Sequence, residues 1–175
     1  GELVGLDWSN INFQDGTLSV QQSAYYLPGG SVQIKNTKTK ASRRIIRLST
    51  VAKTYLSAWR AEQSLKRLSL GESWVDSGSV FTQWNGARLA VDSPANWFRE
   101  FLKANNLPPI NPHGLRHTGA SLLIAQGIDV QTIRQRLGHA RASTTMDIYA
   151  HAFQERDELA TDAFDQALVQ AGRKT

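Results

Sequence analysis

Five side chains in this sequence have the types and the spacing to act on a phosphodiester: Lys38, His113, Arg116, His139 and Tyr149. His113 and Arg116 stand three positions apart, so at a helix entrance they share one face. Arginine presents a planar fork that matches two phosphate oxygens. His139 follows Gly138 directly, and glycine lets the backbone approach a ligand closely. Lys38 falls in the polar stretch "KNTKTKAS", where an ammonium can donate a proton or hold a phosphate. Tyr149 offers a phenol, a candidate nucleophile. Its free pKa is about 10, so attack near neutrality needs a base or a cationic setting. The cations would together stabilise charge on the non-bridging oxygens of a pentacoordinate transition state. Singly, each residue has an ordinary reading: a solvated turn lysine, a capping or packed histidine, a half-buried tyrosine. The joint pattern is what calls for chemistry.

Charge distribution points the same way. The chain has 175 residues, 20 Lys and Arg against 15 Asp and Glu, and a net charge of +5. Ten of the basic residues lie between Ile34 and Arg67, opposed only by Glu62. A polyanion-binding surface and a solvated charged face both fit such a block. The same two readings hold for Arg43, Arg44 and Arg47, which alternate with the apolar Ile46 and Leu48, and for the nearby Lys40. From Asp147 onward the balance reverses, with six acidic residues and three basic ones. There is no cysteine, which excludes disulfides and thiolate metal sites. No signal-peptide pattern opens the chain, and no apolar run approaches the roughly 18 residues of a membrane span.

The elements that must position these groups are mostly helical. Val51, Tyr55, Ala58 and Leu65 recur at near-helical spacing from about Thr50, with Trp59 beside them and Gly71 past the end. Ser93 and Pro94 read as the N-cap and first turn of a second helix, whose apolar face is Trp97, Phe98, Phe101 and Leu102. Asn105 and Asn106 end it, and Pro108, Pro109 and Pro112 mark an extended linker. A third helix is expected from about Gly114 to Gln126, stopped by Gly127. Asp129 caps a fourth, with Val130, Ile133 and Leu137 on one side and Gly138 at its end. Ser143 caps a short helix carrying Tyr149, and an amphipathic tail helix covers about 155–169. Upstream, Gly1 to Trp8 reads as the tail of a helix. Three short strands near Leu18–Val20, Val32–Ile34 and Ile45–Leu48 form an antiparallel meander, with turns at Asp15-Gly16 and Pro28-Gly29-Gly30. The fold class is α+β, mainly α-helical. One domain spans 1–175, with its sheet over about 16–48 and its helical core over about 50–150.

The segment "HGLRHTGASLLIAQGIDVQTIRQRLGHARASTTMDIYAH" closely resembles the signature region of the tyrosine recombinases, the phage integrase family. "GELVGLDWSNIN" and "NTKTKASRRIIRLS" resemble the same family's upstream catalytic segment and its β-hairpin lysine. The resemblance covers essentially the whole chain and implies the fold of that family's catalytic domain. It also implies a role for each residue. Tyr149 forms a 3′-phosphotyrosyl bond and frees a 5′-hydroxyl. Arg116 is the second phosphate-binding arginine, and His113 is the general base or a phosphate ligand. His139 stabilises the phosphate, and Lys38 is the general acid for the leaving oxygen. His117 takes a structural role. The resemblance implies no metal and no cofactor. It implies double-stranded DNA at recombination sites and other recombinase subunits as partners, a synaptic tetramer in the family. The location it implies is the bacterial cytoplasm, at the nucleoid.

One feature departs from the family pattern. The first catalytic arginine of the family lies just before a segment like Gly1-Glu2-Leu3, and no Arg precedes Arg43 here. The expectation is an N-terminally truncated catalytic domain, inactive alone, from a parent that carries out site-specific recombination. A DNA-binding module without chemistry and a type IB topoisomerase are the alternatives that the same residues allow.

Overall fold

The computed structural model describes residues 1–36 and 43–138. The chain divides into two compact units, Gly1–Pro112 and His113–Thr175. Lys38, Lys40, His139, Tyr149 and the expected tail helix lie outside the described residues.

The first unit opens with a single helical turn, in which the Gly5 amide donates to the Gly1 carbonyl at 2.9 Å. This turn, and no longer helix, is what the apolar start of the chain forms. It buries Val4 and Leu6, and a short 3₁₀ turn at Trp8–Asn10 follows.

Five strands come next: β1 (Ile11–Asn12), β2 (Thr17–Val20), β3 (Gln22–Tyr26), β4 (Val32–Asn36) and β5 (Arg44–Arg47). They make two sheets rather than one meander. The three-stranded sheet has the order β1-β2-β5, all antiparallel, and β3 pairs only with β4. The strand expected at Ile45–Leu48 therefore lies against β2, with Leu18 opposite Ile46 and Val20 opposite Arg44. Gln21 separates β2 from β3, and β3 pairs with β4 instead of joining the first sheet. The turn at Pro28-Gly29-Gly30 closes that hairpin, with the Leu27 amide donating to the Ser31 carbonyl at 2.9 Å.

Helix α1 spans Thr50–Leu70. The Ser49 hydroxyl oxygen accepts from the Ala52 amide at 3.1 Å, and Gly71 caps the other end. The helical period is as expected, but the inward face is not. Val51, Tyr55 and Leu65 are 65%, 74% and 68% exposed. Leu56 and Trp59 instead pack against a core of Leu6, Ile11 and Val80, joined by Trp8, Phe13 and Leu18. The half-buried indole N–H groups at this contact find acceptors across it, which favours this face. Trp59 Nε1 donates to the Val80 carbonyl at 2.6 Å, and Trp8 Nε1 donates to Gln63 Oε1 at 2.7 Å.

Helix α2 spans Ser93–Ala104, with Asp92 as N-cap residue and Pro94 in the first turn, one position earlier than expected. Leu102 is buried. Trp97, expected on the apolar face, is two-thirds exposed and stacks on Phe101 with ring centroids 5.4 Å apart.

Helix α3 spans Pro112–Ala125, all but its first residue in the second unit, and α4 spans Val130–Leu137. Their core is Ala120, Ile124 and Ile133, each 2% exposed or less, with Leu123, Val130 and Leu137 packed around it. Helix α3 begins two residues before the expected start at Gly114. Pro112 does not extend the linker. It opens the helix, where its fixed φ is already helical and its missing N–H costs nothing.

Candidate active site

That early start decides where His113 and Arg116 sit: both are in the first turns of α3, directly before its buried segment. The His113 and His117 rings meet edge to face, 4.5 Å between centroids. His117 therefore lies against His113, one turn further along the helix. Below them the helix is tied to itself. The Thr118 hydroxyl donates to the Gly114 carbonyl at 3.0 Å, and the Ser121 hydroxyl to the His117 carbonyl at 3.1 Å. Ala120 and Ile124 follow, fully enclosed. The polar end of α3 is thereby fixed to a packed core, as a site for a reacting group requires.

Helix α4 brings the chain to His139. The carboxylate of Asp129 caps it, accepting from the Thr132 amide at 2.9 Å and from the Thr132 hydroxyl at 2.6 Å. The hydroxyl first, and the amide second, hold the Asp129 carboxyl below its ordinary value. At the other end Gly138 takes the left-handed conformation, φ 70°, and its amide donates to the Arg134 carbonyl at 2.9 Å. His139 is the next residue in sequence.

The basic strand divides in two. Along β5 the burial alternates, with Arg44 and Ile46 inward and Ile45 and Arg47 outward. Arg43 is exposed as well. Arg44, expected on one face with Arg43 and Arg47, has a side chain only 10% exposed, and its fork grips Glu2. Nη1 to Oε1 is 2.8 Å and Nη2 to Oε2 is 2.9 Å, a bidentate pair. Its guanidinium is engaged within the protein; Arg43 and Arg47 are exposed.

A second arginine that the sequence did not single out organises the same region. Arg88 donates to the Val4 carbonyl and to Asp7 Oδ1, both at 2.8 Å, and to the Ser77 carbonyl at 3.3 Å. The only hint was its isolation, a single charge in the irregular stretch between Gly78 and Val91. Glu2 gave a similar hint, as one acid among apolar residues at the start.

Comparison with known proteins adds the decisive observation. The Phage integrase family matches residues 1–156, a range that takes in His113, Arg116, His139 and Tyr149. The chain belongs to the phage integrase family. Among curated relatives, the integrase of ICEBs1 from Bacillus subtilis (strain 168) is 30% identical over 168 residues, covering 96% of this chain and 45% of the relative. A XerC-like tyrosine recombinase from Caldanaerobacter subterraneus subsp. tengcongensis is 27% identical over 97% of this chain and 46% of its own length. This integrase-family chain therefore spans about half the length of the curated relatives it matches. Its fold is that of solved tyrosine recombinases. The Tn1549 transposon integrase, in complex with transposon right end DNA, superposes with a TM-score of 0.75 at 20% identity, over 91% of this chain and 54% of that one. The XerA recombinase gives 0.65 at 25% identity, over 91% and 51%. None of the described helices is long and apolar enough to cross a membrane.

Proposed function

We propose that this chain is the strand-transfer domain of a site-specific DNA recombinase, acting on double-stranded DNA together with other recombinase subunits at the bacterial nucleoid. The Tyr149 phenolic oxygen attacks the scissile phosphorus, and the bond from phosphorus to the 5′-oxygen breaks. A 3′-phosphotyrosyl bond and a free 5′-hydroxyl result. Arg116 and His139 stabilise the charge that develops on the phosphate, and His113 binds the phosphate or takes the phenol proton. Lys38 gives a proton to the leaving 5′-oxygen. A 5′-hydroxyl from another strand then attacks the phosphotyrosine and reseals the backbone. The bond energy is held in the tyrosyl ester, so the cycle needs no external energy source. Arg43, Arg47 and Lys40 hold the DNA backbone, and Arg44 acts within the protein.

The observation that carries this reading is the placement of His113 and Arg116 in the first turns of a helix clamped by a buried core, inside a family match that extends past Tyr149. In the full-length protein, Tyr149→Phe should abolish covalent DNA complexes and leave DNA binding intact. Covalent attachment that persisted in that variant would remove Tyr149 from its role.

A further inference from the structure

We infer that a cleft between α1 and the segment 74–82 binds a phosphate group. The cleft lies wholly within the first unit and has a volume of about 170 Å³. The inference is independent of the roles proposed for Tyr149 and its partners.

One wall of the cleft is a face of α1. Arg60, Gln63, Ser64 and Arg67 follow a helical spacing of three, four and seven positions, so they share that face. The other wall is irregular chain and carries Asp76 and Ser79. A relay of contacts fixes the α1 side. Gln63 Nε2 donates to Thr82 Oγ1 at 3.1 Å, and Gln63 Oε1 accepts from Trp8 Nε1 at 2.7 Å. The Trp8 ring in turn carries the Arg60 guanidinium, 5.4 Å from its centroid, and the Phe13 ring lies 5.8 Å from the same group. A guanidinium held by its face against rings keeps its N–H edge for a ligand. Among the described residues, the Arg60 guanidinium has no hydrogen-bond acceptor and no ion-pair partner.

The other wall supplies a second unspent donor. Ser79 is 1% exposed, and its hydroxyl is the buried side-chain polar atom without a hydrogen-bond partner among the described residues. Such a group is costly to leave unmatched. The neighbouring hydroxyls are already engaged: Ser64 Oγ donates to the Arg60 carbonyl at 2.8 Å, and Ser77 Oγ to the Gly86 carbonyl at 2.7 Å. Arg67 meets Asp76, Nη2 to Oδ2 at 3.0 Å.

These donors define the ligand. Two guanidinium groups against one carboxylate leave the cleft with one net positive charge, so its ligand is an anion. Donors on both walls suit a tetrahedral group with oxygens on several sides better than a planar carboxylate. Arginine forks match phosphate oxygens in pairs. A phosphodiester carries one negative charge, which equals the net charge of the cleft. The phosphate can belong to a nucleic-acid backbone or to a free phosphoester.

The probe is inorganic phosphate, titrated into the full-length protein against chloride at matched ionic strength. The readout is the indole N–H signals of Trp8 and Trp74, which both line the cleft, by magnetic resonance of protein with isotope-labelled tryptophan. Phosphate should shift these signals saturably, with a dissociation constant of about 1 mM. Arg60→Ala should weaken binding by about 10- to 100-fold and Ser79→Ala by about 10-fold, because each removes a hydrogen bond to a charged group. Arg60→Gln serves if Arg60→Ala does not fold. Arg99→Ala, at an exposed position of α2, should leave the response unchanged. Arg116→Ala should also leave it unchanged, which separates this cleft from the proposed catalytic phosphate site. An absent response, or one that survives Arg60→Ala, would overturn the inference. Loss of the response with Arg99→Ala or Arg116→Ala would overturn it too, and so would a full response in Ser79→Ala, which would leave only a surface charge effect. The salt dependence of DNA binding then tells the sources apart. Arg60→Ala should lower the slope of log affinity against log salt by about 0.9 if the phosphate is one of the DNA backbone. An unchanged slope, with phosphate binding lost, assigns the cleft to a free phosphoester.

Discussion

Arg88 and Asp7, 81 positions apart in sequence, meet at 2.8 Å with side chains 21% and 23% exposed. The same guanidinium also reaches the carbonyls of Val4 and Ser77. Three acceptors on two segments thus depend on one cation. Removing one partner of a mostly desolvated pair is costly because the other charge stays buried without compensation. Arg88→Ala should lower unfolding stability by about 3 kcal/mol, read from urea denaturation. Arg88→Lys should recover only part of this, since an ammonium lacks the fork that spans the three acceptors.

Ile133 is fully enclosed in the core that α4 shares with Ala120 and Ile124 of α3. Truncation there loses transfer energy and leaves a cavity. Ile133→Ala should cost about 3 kcal/mol and Ile133→Val about 1 kcal/mol. Thermal unfolding of both variants tests this. Equal costs would mean that the site collapses around the missing atoms.

Asp129 predicts a pH dependence with a definite sign. Its carboxyl is held below an ordinary value of 3.8 by the Thr132 hydroxyl and amide. A group with a lowered folded pKa stabilises above its unfolded pKa and loses that contribution as pH falls through the folded value. Between roughly pH 5 and pH 2, the parent chain should therefore lose more stability than Asp129→Asn, which keeps a capping oxygen that does not titrate. Parallel stability curves for the two would exclude the effect.

The split of β5 into an inward and an outward set predicts the salt dependence of DNA binding. Removing a side chain that neutralises one phosphate should reduce the slope of log affinity against log salt by about 0.9. Arg43→Ala and Arg47→Ala should each do so in the full-length protein. Arg44→Ala should leave the slope unchanged, because its fork is engaged by Glu2. A reduced slope for Arg44→Ala would place that residue on the DNA.

The helices were legible in the sequence wherever local chemistry defines an end. Gly71 ends α1, and Asp129 and Gly138 bound α4, each by a side chain or backbone group acting within a few residues. What was not legible depends on distant partners. Alternation along β5 shows which residues share a face, but not that the strand joins β2 rather than β4. Helix α1 carries apolar residues on more than one face, with Val51, Tyr55 and Leu65 exposed and Leu56 and Trp59 packed. The choice between them was made by indole N–H groups whose acceptors lie on other segments. In the candidate site, the spacing of His113 and Arg116 was readable, while the ring contact with His117 required the helix to begin at Pro112. The Glu2–Arg44 pair spans 42 positions, and nothing local to either residue announces it.

The direct pairing of β2 with β5 also has a consequence for the order in which the chain assembles. Val20 must find Arg44 across the whole of β3 and β4, and closing a long flexible loop carries an entropic cost that grows with its length. The β3–β4 hairpin needs only its own short turn and can form within about 1–10 μs. Once formed, it shortens the effective span that β2 and β5 have to close. The hairpin thus serves as a folding splint, and weakening its turn should slow the formation of a sheet to which it does not belong.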